Sequence, residues 1–165
     1  MVDSRHERGV RALGIDVGTR RIGLAISDAT GTLARPLTTL VVHKGPASAA
    51  ATLRKPMARS SVQAVDAIVQ TIDQCQAEDD GLGVVVVGVP TRLDGSPTHA
   101  TAVATDLICA LRARVSIPVI AQDERLSSHE ADARLAVSER DWRRRKTRLD
   151  AAAAAVLLQD YLDHR

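Results

Sequence analysis

The segment Leu82–Val89, LGVVVVGV, narrows the choice of fold more than any other stretch of this chain. A continuous β-branched run has no polar alternation, so as a strand it keeps both faces away from water. Such a strand sits in the middle of a sheet with helices on either side, the α/β arrangement. The chain has 165 residues, enough for one domain of this kind. Its aromatics are Trp142 and Tyr161 alone, so the core must be built from Ala, Val, Leu and Ile. The same scarcity argues against single-strand binders that stack bases on aromatic platforms.

The rest of the chain arranges itself around that strand. Residues 1–9 read as a disordered lead-in, and 10–165 as a single domain. Val10–Val17 alternates Leu13, Ile15 and Val17 against Gly14 and Asp16; Arg21–Asp28 alternates Ile22, Leu24 and Ile26 against Gly23, Ala25 and Ser27. Period two on both sides of the short turn Gly18-Thr19-Arg20 predicts a hairpin. Leu33–Val42 is a third strand, with Pro36 placing it at an edge or delaying its start. His43–Ser61, with Gly45, Pro46 and Pro56, reads as a loop. Val65, Ile68, Val69 and Ile72 space a helix over Val62–Gln76. After the valine strand, Pro90–Thr98 is a loop, Thr98–Val115 a helix, Ile117–Gln122 a strand, Ser127–Val137 a helix and Arg148–Leu162 a last helix. The order β-β-β-α-β-α-β-α-α predicts a mixed five-stranded sheet: an antiparallel hairpin start, then parallel strands through right-handed crossovers, with helices on both faces.

Other classes fall away. The longest apolar stretch, Ala151–Leu158, is far short of the ~18–20 residues that span a bilayer, so no membrane partner is expected. The first ten residues, MVDSRHERGV, are charged and carry no apolar secretory core. Cys75 and Cys109 both fall in expected helices and make neither a disulfide framework nor a metal spacing, which points to a reduced, cytoplasmic setting. Net charge is only +2, yet Arg140, Arg143, Arg144, Arg145, Lys146 and Arg148 lie within nine residues against Asp141 alone. That run is either a phosphate contact or a solvated loop.

Three acidic positions lie where ligands bind in open α/β sheets, at strand ends and helix starts. Asp16 sits inside an apolar strand, where a carboxylate is costly to bury unless a metal ion or a nearby Arg20 or Arg21 compensates it. The bland alternative, a cap for the Gly18 turn, needs its Asp at the corner instead. Asp123-Glu124 follows the strand Ile117–Gln122; neighbours on an extended chain point to opposite faces, so at most one of them shares a site with Asp16. Asp150 fits a capping-box spacing, Thr147-Arg148-Leu149-Asp150, in the first turn of the alanine-rich helix, and taken alone is a cap. Together, Asp16, Asp123, Glu124 and Asp150 form an oxygen-ligand set suited to Mg²⁺ or Mn²⁺. Paired ions of this kind cleave phosphodiesters. Zinc is not expected, because the five histidines are scattered.

Four ordered motifs carry a resemblance. LGIDVGTRRIGLAISD (Leu13–Asp28) with ARPL (Ala34–Leu37), VVGVPTRLDGSP (Val86–Pro97), DERLSSHEA (Asp123–Ala131) and LDAAAAAVLLQDYL (Leu149–Leu162) resemble the YqgF/RuvX family over nearly the whole chain. That family is described as pre-16S rRNA nucleases or Holliday-junction resolvase-like proteins. The resemblance implies an RNase H-like fold, catalytic acids at Asp16, Glu124 (or Asp123) and Asp150, and Mg²⁺- or Mn²⁺-dependent endonuclease chemistry. The substrate it implies is precursor rRNA, cleaved at the 5′ end, or branched DNA. Gly18, Thr19, Arg20, Arg125, Arg143, Arg144, Arg145 and Lys146 are the expected substrate contacts, the last four in a segment expected to be mobile. The loop His43–Ser61 is long and contains proline, so its role does not carry over; Ser128 stands where the family usually has Thr. Junction cleavage calls for a homodimer, single-strand cleavage for a monomer.

Two rivals belong to other classes. A sugar-kinase or actin-like ATPase also opens with an Asp-x-Gly-Thr hairpin that wraps phosphate, but needs two domains to enclose ATP. A non-catalytic nucleic-acid-binding factor would have no use for all three acids.

Overall fold

The computed structural model describes residues 10–42, 59–124 and 142–165, the side chains of 59–61 and 142–147 excepted. The expected lead-in over 1–9, positions 43–58 of the expected loop, Arg125 and the helix expected over Ser127–Val137 lie outside the described residues.

The strands are β1 (Ala12–Val17), β2 (Arg21–Ser27), β3 (Ala34–Val41), β4 (Val84–Val89) and β5 (Val119–Asp123). The helices are α1 (Arg59–Gln76), α2 (His99–Arg112) and α3 (Trp142–Asp163). The sheet runs β3-β2-β1-β4-β5. β1 pairs antiparallel with β2, and β2 with β3; β1, β4 and β5 run parallel. This is the mixed five-stranded sheet that the hairpin and the valine run predict. The carboxyl ends of its three parallel strands consequently share one edge.

Alternation along the strands splits the core in two. Leu13, Ile15, Ile22, Leu24, Ile26, Val85, Val87 and Val119 pack against Val65, Ile68 and Ile72 of α1 and Leu107, Ile108 and Leu111 of α2. The opposite face, Ala12, Ala25, Val84 and Val86, packs against Ala154, Leu158 and Leu162 of α3. Val84–Val87 are all buried because β4 faces both layers. The small residues on the second face let α3 lie close: a Cβ added at Gly14 would stand 2.8 Å from Leu158 Cβ and 3.0 Å from the Ala154 carbonyl oxygen. β3 is an edge strand, and Pro36 lies opposite a register shift at Leu24/Ala25, where a missing N–H is tolerated.

Element boundaries differ from the sequence reading, most of all at two helix starts. α3 begins at Trp142, not Arg148, because Arg, Lys, Leu and Ala are good helix formers and nothing breaks the segment. Asp150 therefore lies well inside the helix, and the capping-box spacing is not used. Arg143, Arg144, Arg145 and Lys146 fall in the first turns of this helix; their side chains lie outside the described residues. α1 starts at Arg59, within the stretch read as loop. Thr98 caps α2 with a full capping box, its hydroxyl taking the Thr101 N–H while the Thr101 hydroxyl takes the Thr98 N–H. Among the described residues, no helix is long and apolar enough to cross a membrane.

Candidate active site

The parallel strands end together, and their last residues assemble the site. Alternation puts Ala12, Gly14 and Asp16 of β1 on the α3 face, with Gly23 of β2 as the register partner of Asp16. One step beyond the Ile15–Val87 pair, the parallel ladder brings Gly88 beside Asp16. In β5, Val119 belongs to the α1/α2 core and Ile120 to the α3 layer. Continuing that period, Asp123 turns to the α1/α2 side and Glu124, just past the strand, to the α3 side. Asp123 accepts a hydrogen bond from the Thr91 hydroxyl at 3.1 Å, whereas Glu124 hydrogen-bonds to Asp16. Of the expected ligand set, Asp123 is thus the member that faces away, for the geometric reason that adjacent residues of an extended chain diverge.

Two glycines make this approach possible. A Cβ added at Gly88 would lie 1.9 Å from Glu124 Oε1, so the carboxylate folds back over the sheet into space that any other residue would fill. A Cβ at Gly23 would lie 1.9 Å from the Asp150 carbonyl oxygen, which puts the α3 backbone directly on β2 next to Asp16. The glycines on either side of Asp16 therefore admit the second acid from one flank and the helix carrying the third from the other.

The electrostatics follow from two carboxylates in contact under partial burial. Burial first, and then the Asp16 charge, push Glu124 up to about 9. Burial also raises Asp16, against the opposing pull of its hydrogen bond to Glu124. Without a cation the two acids thus keep between them a proton that separated carboxylates would lose. Asp150 answers to a different partner: Arg21, at the start of β2, brings Nη1 within 3.7 Å of Asp150 Oδ2. Arg21 compensates Asp150, and not Asp16 as the strand position suggests. The β2 period puts Arg21 on the face of Gly23 and Ala25, which α3 covers, but the sequence does not say which acid of α3 meets it there. Gly88 and Gly23 did carry a signal: an isolated glycine inside a strand pattern marks a close approach.

Gly18, Thr19 and Arg20 are exposed at the β1–β2 turn on the same edge, closed by a Gly18 N–H to Arg21 carbonyl bond of 2.9 Å. Arg148, two residues before Asp150 on α3, is also exposed. The donor chemistry suits a hard divalent cation: oxygen ligands only, and a pair whose mutual repulsion a cation would relieve. Asp16 and Glu124 would hold it, with Asp150 next to them. Among the described residues, no group of three or more His, Cys, Asp or Glu side chains is arranged to hold a metal ion, which matches a third acid that leans on Arg21.

Comparison with known proteins shows the family and the fold. The family model described as "RuvX: Holliday junction resolvase" matches residues 10–69 and 46–164. A protein of Anaeromyxobacter sp. (strain K) named "Putative pre-16S rRNA nuclease" is 35% identical over 156 residues, 94% of this chain and 98% of that protein. A Geobacillus kaustophilus protein of the same name is 30% identical over 94% of this chain and 99% of its own length. Among solved structures, T. thermophilus RuvC in complex with a Holliday junction substrate superposes with a TM-score of 0.54 at 16% identity, covering 93% of each chain. At that identity the likeness is one of fold, the RNase H-like sheet with helices on both faces.

Proposed function

The chain belongs to the RuvX family and is a nuclease of RNase H-like fold, and from that we propose that it hydrolyses phosphodiester bonds of structured nucleic acid with Asp16, Glu124 and Asp150 as its catalytic acids. The observation that carries the reading is the contact between Asp16 and Glu124 above Gly88. Folding alone gives no reason to press two carboxylates together on a sheet edge; a cation-binding site does.

Asp16 and Glu124 hold Mg²⁺ or Mn²⁺ in this reading, and Asp150 supplies the third oxygen group. When bound, such a cation supplies a water activated near neutral pH and offsets charge on the leaving oxygen. The protein's own contribution is positional. Gly23 lets α3 bring Asp150 down to the sheet. Arg21 offsets the charge of the Asp150 carboxylate across 3.7 Å. Glu124 would have to be deprotonated to serve as a ligand, so cation binding would strengthen as pH rises. The exposed turn Gly18–Arg20 lies on the edge of the acids and would meet the phosphate backbone; Arg143, Arg144, Arg145 and Lys146, on the helix that carries Asp150, are the further basic residues assigned to it in this reading.

The substrate proposed is precursor 16S rRNA, cleaved toward its 5′ end; the names carried by the relatives support this choice. The family description favours a second reading, resolution of branched DNA. The test is direct: purified chain with Mn²⁺, offered a precursor rRNA fragment and a four-way DNA junction side by side. Cleavage of the RNA at defined positions supports the first reading, and symmetric nicking of the junction the second. Cleavage of neither, at any divalent metal, overturns the proposal.

A further inference from the structure

The loop that follows β4 is a built hairpin, and it leaves the sheet at the same edge as the acids. Thr91 bridges to Pro97, and the Arg92 N–H donates to the Ser96 carbonyl at 3.1 Å. The tip is a tight turn: the Gly95 N–H donates to the Arg92 carbonyl at 2.8 Å, Gly95 takes φ 80°, and the Ser96 N–H donates to Asp94 Oδ1 at 2.8 Å. Both roots are fastened. The Thr101 hydroxyl of α2 donates to the Pro90 carbonyl, and Thr91 donates to Asp123, the residue before Glu124. The Glu124 N–H itself donates to the Val89 carbonyl at 3.3 Å, so the hairpin base and the second acid are joined through the backbone.

At the tip stands Leu93, 87% exposed, the most exposed of the large hydrophobic residues described. Arg92, Asp94 and Gly95 beside it are also exposed. Scattered surface leucines need no explanation, but this one occupies the second position of a turn, which ordinary turn chemistry fills with Pro or a polar residue. Its side chain contributes nothing to either core layer. A hydrogen-bonded arm holds an apolar group in water, next to a basic side chain, and leaves the sheet at the edge that carries the acids. Apolar wedges of this size unstack base steps when a positive charge holds the adjoining phosphate.

We propose that the Pro90–Pro97 hairpin is a nucleic-acid contact element, in which Leu93 inserts against a base step next to the bond to be cleaved while Arg92 meets the neighbouring phosphate. The proposal rests on the nuclease reading and adds to it the means by which the strand is distorted at the site. The hairpin's rigidity fixes how far from the Asp16–Glu124 pair the unstacked base lies.

The test uses the whole chain in chelator, where no cleavage occurs, with two probes carrying 2-aminopurine: an RNA stem with a single-stranded 5′ extension, and a four-way DNA junction labelled at the branch. The parent protein is expected to raise 2-aminopurine fluorescence on at least one probe, and the responding probe identifies the nucleic acid. Leu93→Ser should abolish the rise and weaken binding about tenfold, with an unchanged melting temperature because the side chain is already in water. Leu93→Phe should keep the rise. If Leu93→Ser binds and unstacks like the parent, the hairpin proposal is overturned while Mn²⁺-dependent cleavage, if seen, still stands. If the parent unstacks a probe through Leu93 but never cleaves, the nuclease reading is overturned and the hairpin survives. Binding by the hairpin to a protein partner, with no response from either probe, also overturns it.

Discussion

Gly88 illustrates how much a single absent atom does here. Its missing Cβ is the space in which the Glu124 carboxylate lies. In Gly88→Ala the obstruction is the far end of a flexible side chain and not backbone, so the fold should persist with little change in melting temperature. The carboxylate, however, must swing away from Asp16. We expect Mn²⁺ affinity, titrated without nucleic acid, to fall by roughly 10–100-fold, the range seen when ligand-orienting neighbours are lost, and cleavage to fall with it. Unchanged Mn²⁺ affinity would show that Glu124 does not need this place. Glu124 itself makes a pH-dependent prediction. Its ordinary value is 4.5 and the folded protein raises it to about 9, so the folded state keeps a proton that the unfolded chain loses. The metal-free protein therefore loses stability as pH climbs from about 4.5 toward 9, and none of that loss is present below 4.5. Glu124→Gln mimics the protonated acid at every pH and still has a donor for Asp16. Its melting temperature in chelator should exceed the parent's by a margin that widens between pH 5 and 9; a margin that is flat with pH would contradict the shared proton.

At the scale of elements, the decisive contact is α3 on β2. Gly23→Ala places a methyl 1.9 Å from the Asp150 carbonyl oxygen, and backbone cannot yield as a side chain can. α3 must lift from the strand, breaking its packing through Ala154 and Leu158. Overpacking of this kind costs about 1–3 kcal/mol, so a clearly lowered denaturant midpoint is expected, together with loss of activity. Gly23→Ala and Gly88→Ala thus separate: the first harms folding and site, the second the site alone. The same elements show what the sequence did and did not disclose. The hairpin, the central valine strand and the parallel crossovers were legible because their periods are unbroken. Asp16 stood out because a carboxylate inside an apolar strand conflicts with its surroundings. Glu124 could not be told from Asp123 by composition, since the choice depends on the parity of β5 and on where that strand ends. Asp150 looked like a helix cap because the start of α3 was placed at Arg148; six more residues of helix, from Trp142, move it inward. Arg21 stood out as a possible partner for nearby Asp16; its pairing with Asp150 could not be read, because Asp150 is remote in sequence and meets it only when α3 docks.

For the molecule as a whole, topology does the assembling. Three parallel strands end on one edge, so acids from β1 and the end of β5 meet there without any long-range adjustment, and α3 crosses the same face with the third. The aliphatic core beneath leaves the polar chemistry to that edge. A protein built in this way should depend on its first acid absolutely. Cleavage of a precursor rRNA fragment and of a four-way junction in Mn²⁺ should be compared between the parent chain and Asp16→Asn. Removing a metal-holding oxygen forfeits several kcal/mol of transition-state stabilisation, so on whichever substrate the parent cuts, the variant should be slower by about a thousandfold or more, with its fold intact. An Asp16→Asn protein that cuts as fast as the parent would contradict the account at its root.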